Sequence, residues 1–185
     1  GASYLLAAGA LGSRPVRVEG LRSDTMQGDR AIRVILERMG ARTEEGENSL
    51  TVYPSPLKGV EADMSDCPDL VPTVAVLAAF AEGETLVRGV AHLRIKECDR
   101  IAAPAGELGK AGVPVEERPD GLMIRGNPEL DLRGRALELL AHGDHRMAMS
   151  LSLLECKGAS VRLDNPAVVN KSFPAFWDVW KEIRG

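Results

Sequence analysis

The chain has 185 residues, 44% of them hydrophobic and 27% charged, with a net charge of −4. That length and balance suit one globular unit with a proper core, while the acidic excess and an aromatic content of only 4% argue against a nucleic-acid surface or a base-stacking platform. No apolar run approaches the roughly 20 residues of a membrane span and no signal-peptide pattern opens the chain, so it reads as soluble, with no nucleic acid and no membrane among its partners.

In chain order, Gly1 is not preceded by Met, and the sequence runs at once into an apolar helical stretch, Leu5 to Leu11, with no convincing cap. This start predicts a piece of a longer polypeptide. A strand, Pro15 to Glu19, and a helix, Asp29 to Arg38, come next; Gly40 then leads into two short strands around Ala41–Thr43 and Ser49–Val52, and Pro54-Ser55-Pro56 makes a turn. Asp69 stands at the head of a helix over Val71 to Ala81 whose middle, Val74 to Phe80, is apolar on every side. A strand over Glu84 to Arg88 precedes Leu93-Arg94-Ile95-Lys96-Glu97-Cys98-Asp99-Arg100-Ile101, which reads as the opening of a helix with Lys96 and Arg100 on one face. Pro104, Gly106 and Gly109 predict a kink or early stop in that helix.

Gly112 repeats the role of Gly40, leading into a strand near Val115 and another over Gly121 to Ile124, with Arg118-Pro119-Asp120-Gly121 as the hairpin turn. Asp144 caps a second helix that is apolar nearly all round, Arg146 to Glu155, followed by a strand, Ala159 to Leu163. Asn170-Lys171-Ser172-Phe173-Pro174 opens a last helix running to Ile183, with Ser172 as its cap. The order helix, strand, helix, hairpin thus recurs about two and a half times. Because the helices are the apolar elements and the strands alternate, the preferred architecture is an α/β inside-out repeat with helices buried, sheets outside and the third module incomplete. A sandwich with helices on one sheet face fits the same patterns.

Lys96, Arg100, Arg146 and Lys171 all fall at predicted helix openings, where the helix dipole disfavours cations by about 0.3 to 1 kcal/mol each and an anion would reverse the sign. Their recurrence predicts a polyanion site, with Asp69, Glu97 and Lys96 as proton-transfer candidates. Taken singly, Asp69 and Asp144 are ordinary caps, Arg146 and Lys171 solvated charges, and His92 and His145 packed polar side chains. Cys67, Cys98 and Cys156 form an odd, scattered set with no zinc spacing, consistent with reduced thiols in a cytosolic compartment and no metal site. Spacing alone supports an anion-binding α/β domain and names no reaction.

Three phrases go further: Leu93 to Arg100, Asp144-His145-Arg146-Met147-Ala148-Met149, and Asn170-Lys171-Ser172-Phe173-Pro174. With Ser3-Tyr4-Leu5, Met26-Gln27-Gly28-Asp29 and Pro68-Asp69 in support, they resemble the 5-enolpyruvylshikimate-3-phosphate synthase family of enolpyruvyl transferases, in family order across the whole chain. The related UDP-N-acetylglucosamine transferases share the fold but lack the Asp-His-Arg-Met-Ala-Met phrase. The resemblance implies that residues 1–185 are a single domain, most of the C-terminal lobe of a two-lobed cytoplasmic enzyme, and that the complementary N-terminal lobe is a partner. It implies transfer of enolpyruvyl from phosphoenolpyruvate to the 5-hydroxyl of shikimate 3-phosphate, with release of phosphate and no organic cofactor or redox metal. It further implies that Arg100 and Arg146 grip the phosphoenolpyruvate carboxylate, Lys171 its phosphate, Asp69 and Lys96 the shikimate ring, and that Asp69, Glu97 and Lys96 share the proton transfers. Cys98 stands where the family usually has Ser or Thr, and His92 where some members have Asn. Without the other lobe, the lone chain should be catalytically silent. A noncatalytic anion-binding or scaffolding domain is the rival reading.

Overall fold

Whether a helix is apolar on one side or all round decides its place, and the computed structural model, which describes residues 1–21 and 27–184, separates the two kinds. α1 (Ala2–Leu11), α3 (Val71–Ala79) and α5 (His145–Ser152) are almost wholly covered, α3 along its full length. α2 (Gln27–Arg38), α4 (Ala102–Lys110) and α6 (Phe176–Arg184) each bury one stripe and wet the other. α1 packs on α3 and α3 on α5. Thr73 and Ser150 share a buried hydrogen bond of 3.1 Å across the second of these contacts, so neither hydroxyl is left unsatisfied in the apolar layer.

The strands lie around this layer. β1 (Val16–Glu19), β2 (Arg42–Glu45) and β3 (Ser49–Tyr53) form an antiparallel sheet in the order β1-β3-β2. β5 (Glu61–Asp63), β7 (Glu84–Arg88), β8 (Val115–Arg118) and β9 (Gly121–Arg125) form a second, in the order β5-β7-β9-β8, with β5 parallel to β7. The shared logic is visible in the pairing: β1 and β7 each run antiparallel to the second strand of the hairpin that follows them. β4 (Leu57–Lys58) pairs in parallel with β6 (Ala81–Glu82), and β10 (Ala136–Leu139) with β11 (Ser160–Leu163). Gly9 lets α1 lie directly on β3, because a Cβ there would come within 2.7 Å of the Val52 carbonyl oxygen. At the far end Tyr4, Phe176 and Trp180 pack ring against ring and tie α6 to α1. The fold is therefore mixed α/β.

Several elements depart from the sequence expectation. Residues 93–101 are not one helix: Ala91–Ile95 is a 3-10 turn, Lys96 is extended at φ −92° and ψ −155°, and α4 starts only at Ala102. The cause is local. Arg94 is held by Asp99 at 3.0 Å, Glu117 at 3.1 Å and the Arg118 carbonyl at 3.1 Å, while Asp99 Oδ1 accepts the amides of Ile101 and Ala102 at 3.0 Å each and so defines the helix start. Lys96 and Arg100 therefore share no helical face. Pro104 causes no stop in α4, since it is the third residue, where its missing N–H is one the helix could not pair internally. Lys171 ends a 3-10 helix, Pro166–Lys171, and Ser172 closes that helix rather than opening α6. Pro174 disfavours helical backbone at Phe173, which delays α6 to Phe176. β4, β5, β6 and β10 have no counterpart among the predicted strands, and Ala81, expected to end a helix, lies in β6. Met26, part of one resembling phrase, lies outside the described residues.

Candidate active site

Three segments distant in sequence deliver one ionic cluster. Asp69 sits in a 3-10 turn, Pro68–Leu70, that runs straight into α3; Arg100 stands two residues ahead of α4; Asp144 is the N-cap of α5 and Arg146 lies in its first turn. Because α3, α4 and α5 pack together, their leading ends meet. Arg100, only 2% exposed, is the hub. Its Nε donates to Asp144 Oδ2 at 2.6 Å, its Nη2 to Asp144 Oδ1 at 3.3 Å and Glu97 Oε2 at 2.7 Å, and its Nη1 to Asp69 Oδ1 at 3.1 Å. Arg146 Nη2 reaches the other Asp69 oxygen at 3.3 Å. Asp69 is thus shared by two guanidinium groups and makes no capping bond to α3, contrary to the reading of it as an ordinary cap. Asp144 does cap, accepting the Arg146 amide at 2.8 Å.

Burial grades the cluster. Asp144 is fully covered, whereas Asp69 and Glu97 have side chains 50% and 44% exposed, so the inner carboxylate is fixed and the outer two face solvent. Burial by itself would raise the Asp144 carboxyl, but hydrogen bonds and charge from Arg100, with the Arg146 amide, hold it below the usual carboxylate value. Burial likewise works against the Arg100 cation and is overcome by Asp144, leaving the guanidinium more basic than an ordinary arginine. Cys98 donates its S–H to Asp144 Oδ2 at 3.3 Å, so it is no mere apolar filler; burial and then the Asp144 charge push its thiol up to about 12. Tyr4 is raised above its ordinary value by burial, against the pull of Arg146. His145 is lowered by burial and the Arg146 charge, and its Nδ1 is buried with no partner.

Of the residues singled out from sequence, the fold joins Asp69, Glu97, Arg100 and Arg146 by direct contacts. Lys96 lies next to Glu97 but is exposed, and among the described residues its ammonium makes no ion pair; the same holds for Lys171. Lys171 belongs to the turn that packs on α5, the helix carrying Arg146. Of the four cations expected at one polyanion site, Arg100 and Arg146 share a carboxylate, while Lys96 and Lys171 make no ion pair among the described residues. Sequence reasoning treated Asp144 as a cap and missed its place at the centre; the signal was the adjacent Asp-His-Arg phrase. Among the described residues, no three or more His, Cys, Asp or Glu side chains are grouped to hold a metal ion.

Chemically, this face offers two planar cations, both held by Asp69 and one of them also by Glu97. An incoming anion can replace Asp69 and Glu97 on the guanidinium groups, since neither carboxylate is buried, whereas Asp144 stays in place.

The cluster stands in a chain whose relatives are well defined. The family model for EPSP synthase (3-phosphoshikimate 1-carboxyvinyltransferase) matches residues 1–180. The 3-phosphoshikimate 1-carboxyvinyltransferase of Syntrophobacter fumaroxidans is 44% identical over 184 residues, covering 99% of this chain and 43% of that protein. Its namesake from Methanococcus vannielii is 43% identical, covering 98% and 42%. An EPSP synthase structure from Acinetobacter baumannii superposes with a TM-score of 0.84 at 28% identity, covering 98% of this chain and 44% of that one. The enolpyruvyl transferase NikO from Streptomyces tendae superposes at 0.73 and 27% identity, with 98% and 41% covered. The chain spans about 43% of the length of the curated relatives it matches. With nearly its whole length matched by the family model and the structural neighbours agreeing, this chain belongs to the EPSP synthase family.

Proposed function

We propose that this chain is one lobe, the C-terminal one, of a two-lobed cytoplasmic enzyme that transfers enolpyruvyl from phosphoenolpyruvate to the 5-hydroxyl of shikimate 3-phosphate and releases phosphate. The observation that carries the reading is the sharing of Asp69 between Arg100 and Arg146. Two guanidinium groups set one carboxylate apart fit the planar carboxylate of phosphoenolpyruvate, and binding of that carboxylate would release Asp69 and Glu97 for proton transfer. Substrate binding and activation of the acid-base groups are then one exchange.

In this reading Asp69 turns to the attacking 5-hydroxyl and takes its proton as the new C–O bond forms at C2 of phosphoenolpyruvate. Glu97, freed from Arg100 and so able to take up a proton, delivers it to the methylene carbon, giving a tetrahedral intermediate, and recovers it as the C–O bond to phosphate breaks, while the hydroxyl proton held by Asp69 passes to the departing phosphate. Lys96, exposed beside Glu97, meets the shikimate ring, and Lys171 meets the phosphate. The opposite wall, and the exclusion of water that makes these charges effective, belong to the complementary lobe. Consistent with a face awaiting a second wall, the outer carboxylates are open to solvent.

We also read the architecture as the inside-out repeat expected from sequence. Its support is the covered α1, α3 and α5 layer and the matching pairing of β1 with the β2–β3 hairpin and of β7 with the β8–β9 hairpin. The test of function is to mix the chain with the separately produced complementary lobe and follow phosphate release from phosphoenolpyruvate and shikimate 3-phosphate. Turnover only in the mixture is the expected result. Turnover by the lone chain would overturn the division of labour, and full activity after Glu97→Gln in the complete enzyme would favour the scaffolding reading.

A further inference from the structure

Glu107 is a buried carboxylate with no part in the chemistry above. It lies in the second turn of α4, with a side chain 3% exposed. Its Oε1 accepts the amide of Leu140 at 2.6 Å and the Lys110 ammonium at 2.7 Å, and His142 Nε2 lies 3.7 Å from its Oε2. Leu140 begins the loop that ends at Asp144. That loop is costly to hold: His142, at φ +56°, is the only described non-glycine residue with positive φ, and Gly143 follows at +67°. Such backbone persists where its surroundings fix it from several sides. Here the sides are Glu107 on Leu140, Asp164 on the Ala141 amide at 2.8 Å, and the Ala141 carbonyl on the Asp144 amide at 3.0 Å.

The segment of α4 therefore reaches the cluster twice, because Arg100 stands two residues ahead of its start and Glu107, further along, holds the loop that carries Asp144. We propose that Glu107 is a positioning residue: by clamping the Leu140 amide it sets Asp144 against Arg100, and so fixes the direction in which the Arg100 fork points. It touches no substrate. The catalytic consequence of the clamp rests on the enolpyruvyl-transfer reading, but the clamp itself does not.

Cys98 supplies an activity-free readout, since its thiol is bonded to Asp144 and rises or falls in acidity with that contact. In the 185-residue chain at pH 8, the rate of iodoacetamide labelling at Cys98 would be followed by peptide mapping, with Cys67 and Cys156 as internal references and circular dichroism to confirm folding. Glu107→Ala should speed Cys98 labelling by about tenfold, because only the thiolate reacts and a released loop relaxes both the burial and the Asp144 contact that hold the thiol proton. Glu107→Gln, which keeps an acceptor for Leu140, should stay within about threefold of the parent. Should Glu107→Ala not fold, Glu107→Asp, shorter by one methylene, should still give a measurable rise. Unchanged Cys98 labelling in the folded Ala or Asp variants overturns the proposal, as do a Gln variant as reactive as Ala or a parallel rise at all three cysteines, which would report general loosening. In the complete enzyme Glu107→Ala should lower kcat, with Gln restoring it. A thiol response with no change in kcat would support the clamp and overturn its catalytic consequence, whereas a parent enzyme with no enolpyruvyl transfer would count against the functional reading and leave the clamp standing.

Discussion

Arg100 and Asp144 face each other across two hydrogen bonds, 2.6 Å from Nε to Oδ2 and 3.3 Å from Nη2 to Oδ1, with Arg100 2% exposed and Asp144 fully covered. The pair joins the approach to α4 to the cap of α5. A buried pair of this kind is expensive to form and more expensive to break, because the survivor is left charged and without a partner.

Asp144→Ala in the 185-residue chain should therefore cost about 3 to 5 kcal/mol in urea unfolding. The double variant Asp144→Ala, Arg100→Leu should recover part of that loss. A single-variant cost below about 1 kcal/mol would show that solvent reaches the pair and screens it. Arg100→Lys should also destabilise, because one ammonium cannot replace a fork that bridges three carboxylates.

Asp144 also sets an acid limb. Its folded carboxyl lies below the usual range, so in the window beneath the unfolded value of about 3.9 the unfolded chain binds more protons. Its stabilisation is present above that window and is lost as pH falls through the folded value. Comparing urea midpoints at pH 7 and pH 3 should show a smaller drop in Asp144→Asn than in the parent, although the variant is less stable at pH 7. Equal drops would assign the limb to other acids, such as Asp99, whose carboxyl is likewise lowered despite its burial.

On the proposed roles of Asp69 and Glu97, Asp69→Asn and Glu97→Gln in the full two-lobed protein should each lower kcat for enolpyruvyl transfer by roughly 100-fold or more, the usual scale for loss of a proton-transfer group. Since an amide is nearly isosteric and these side chains are half-exposed, thermal stability should move little. A rise in KM with kcat unchanged would recast both as binding groups only.

Trp180 carries the attachment of the last helix, stacking on Phe176 at 5.8 Å and donating its indole N–H to Glu155 at 3.0 Å. Trp180→Ala should cost about 3 to 5 kcal/mol, the range for a buried aromatic that leaves a cavity. The effect should appear as earlier thermal unfolding of the 185-residue chain.

What was legible in the sequence is what depends on neighbours along the chain. The all-round apolarity of Val74–Phe80 and Met147–Leu154 marked the covered helices, the Pro119-Asp120 pair marked a two-residue hairpin loop, and Asp144 ahead of Arg146 marked a cap; all of these are set by local periodicity and turn chemistry. Arg100 and Arg146 could be nominated because cations at predicted helix openings suit an anion, and Asp69 because a carboxylate beside such cations suits proton transfer. The rest was decided only in three dimensions. Residues 96–101 abandon the helix because Arg94 is drawn to Glu117, 23 positions away, and Asp99 turns back on the chain. Asp69 gives up capping because α4 and α5 bring two guanidinium groups to it, and Asp144 becomes the centre because the packing of α3, α4 and α5 closes over it. A sequence states which groups carry charge and how each short run bends; which charges meet, and which of them lose their water, is settled by the packing of elements far apart along the chain.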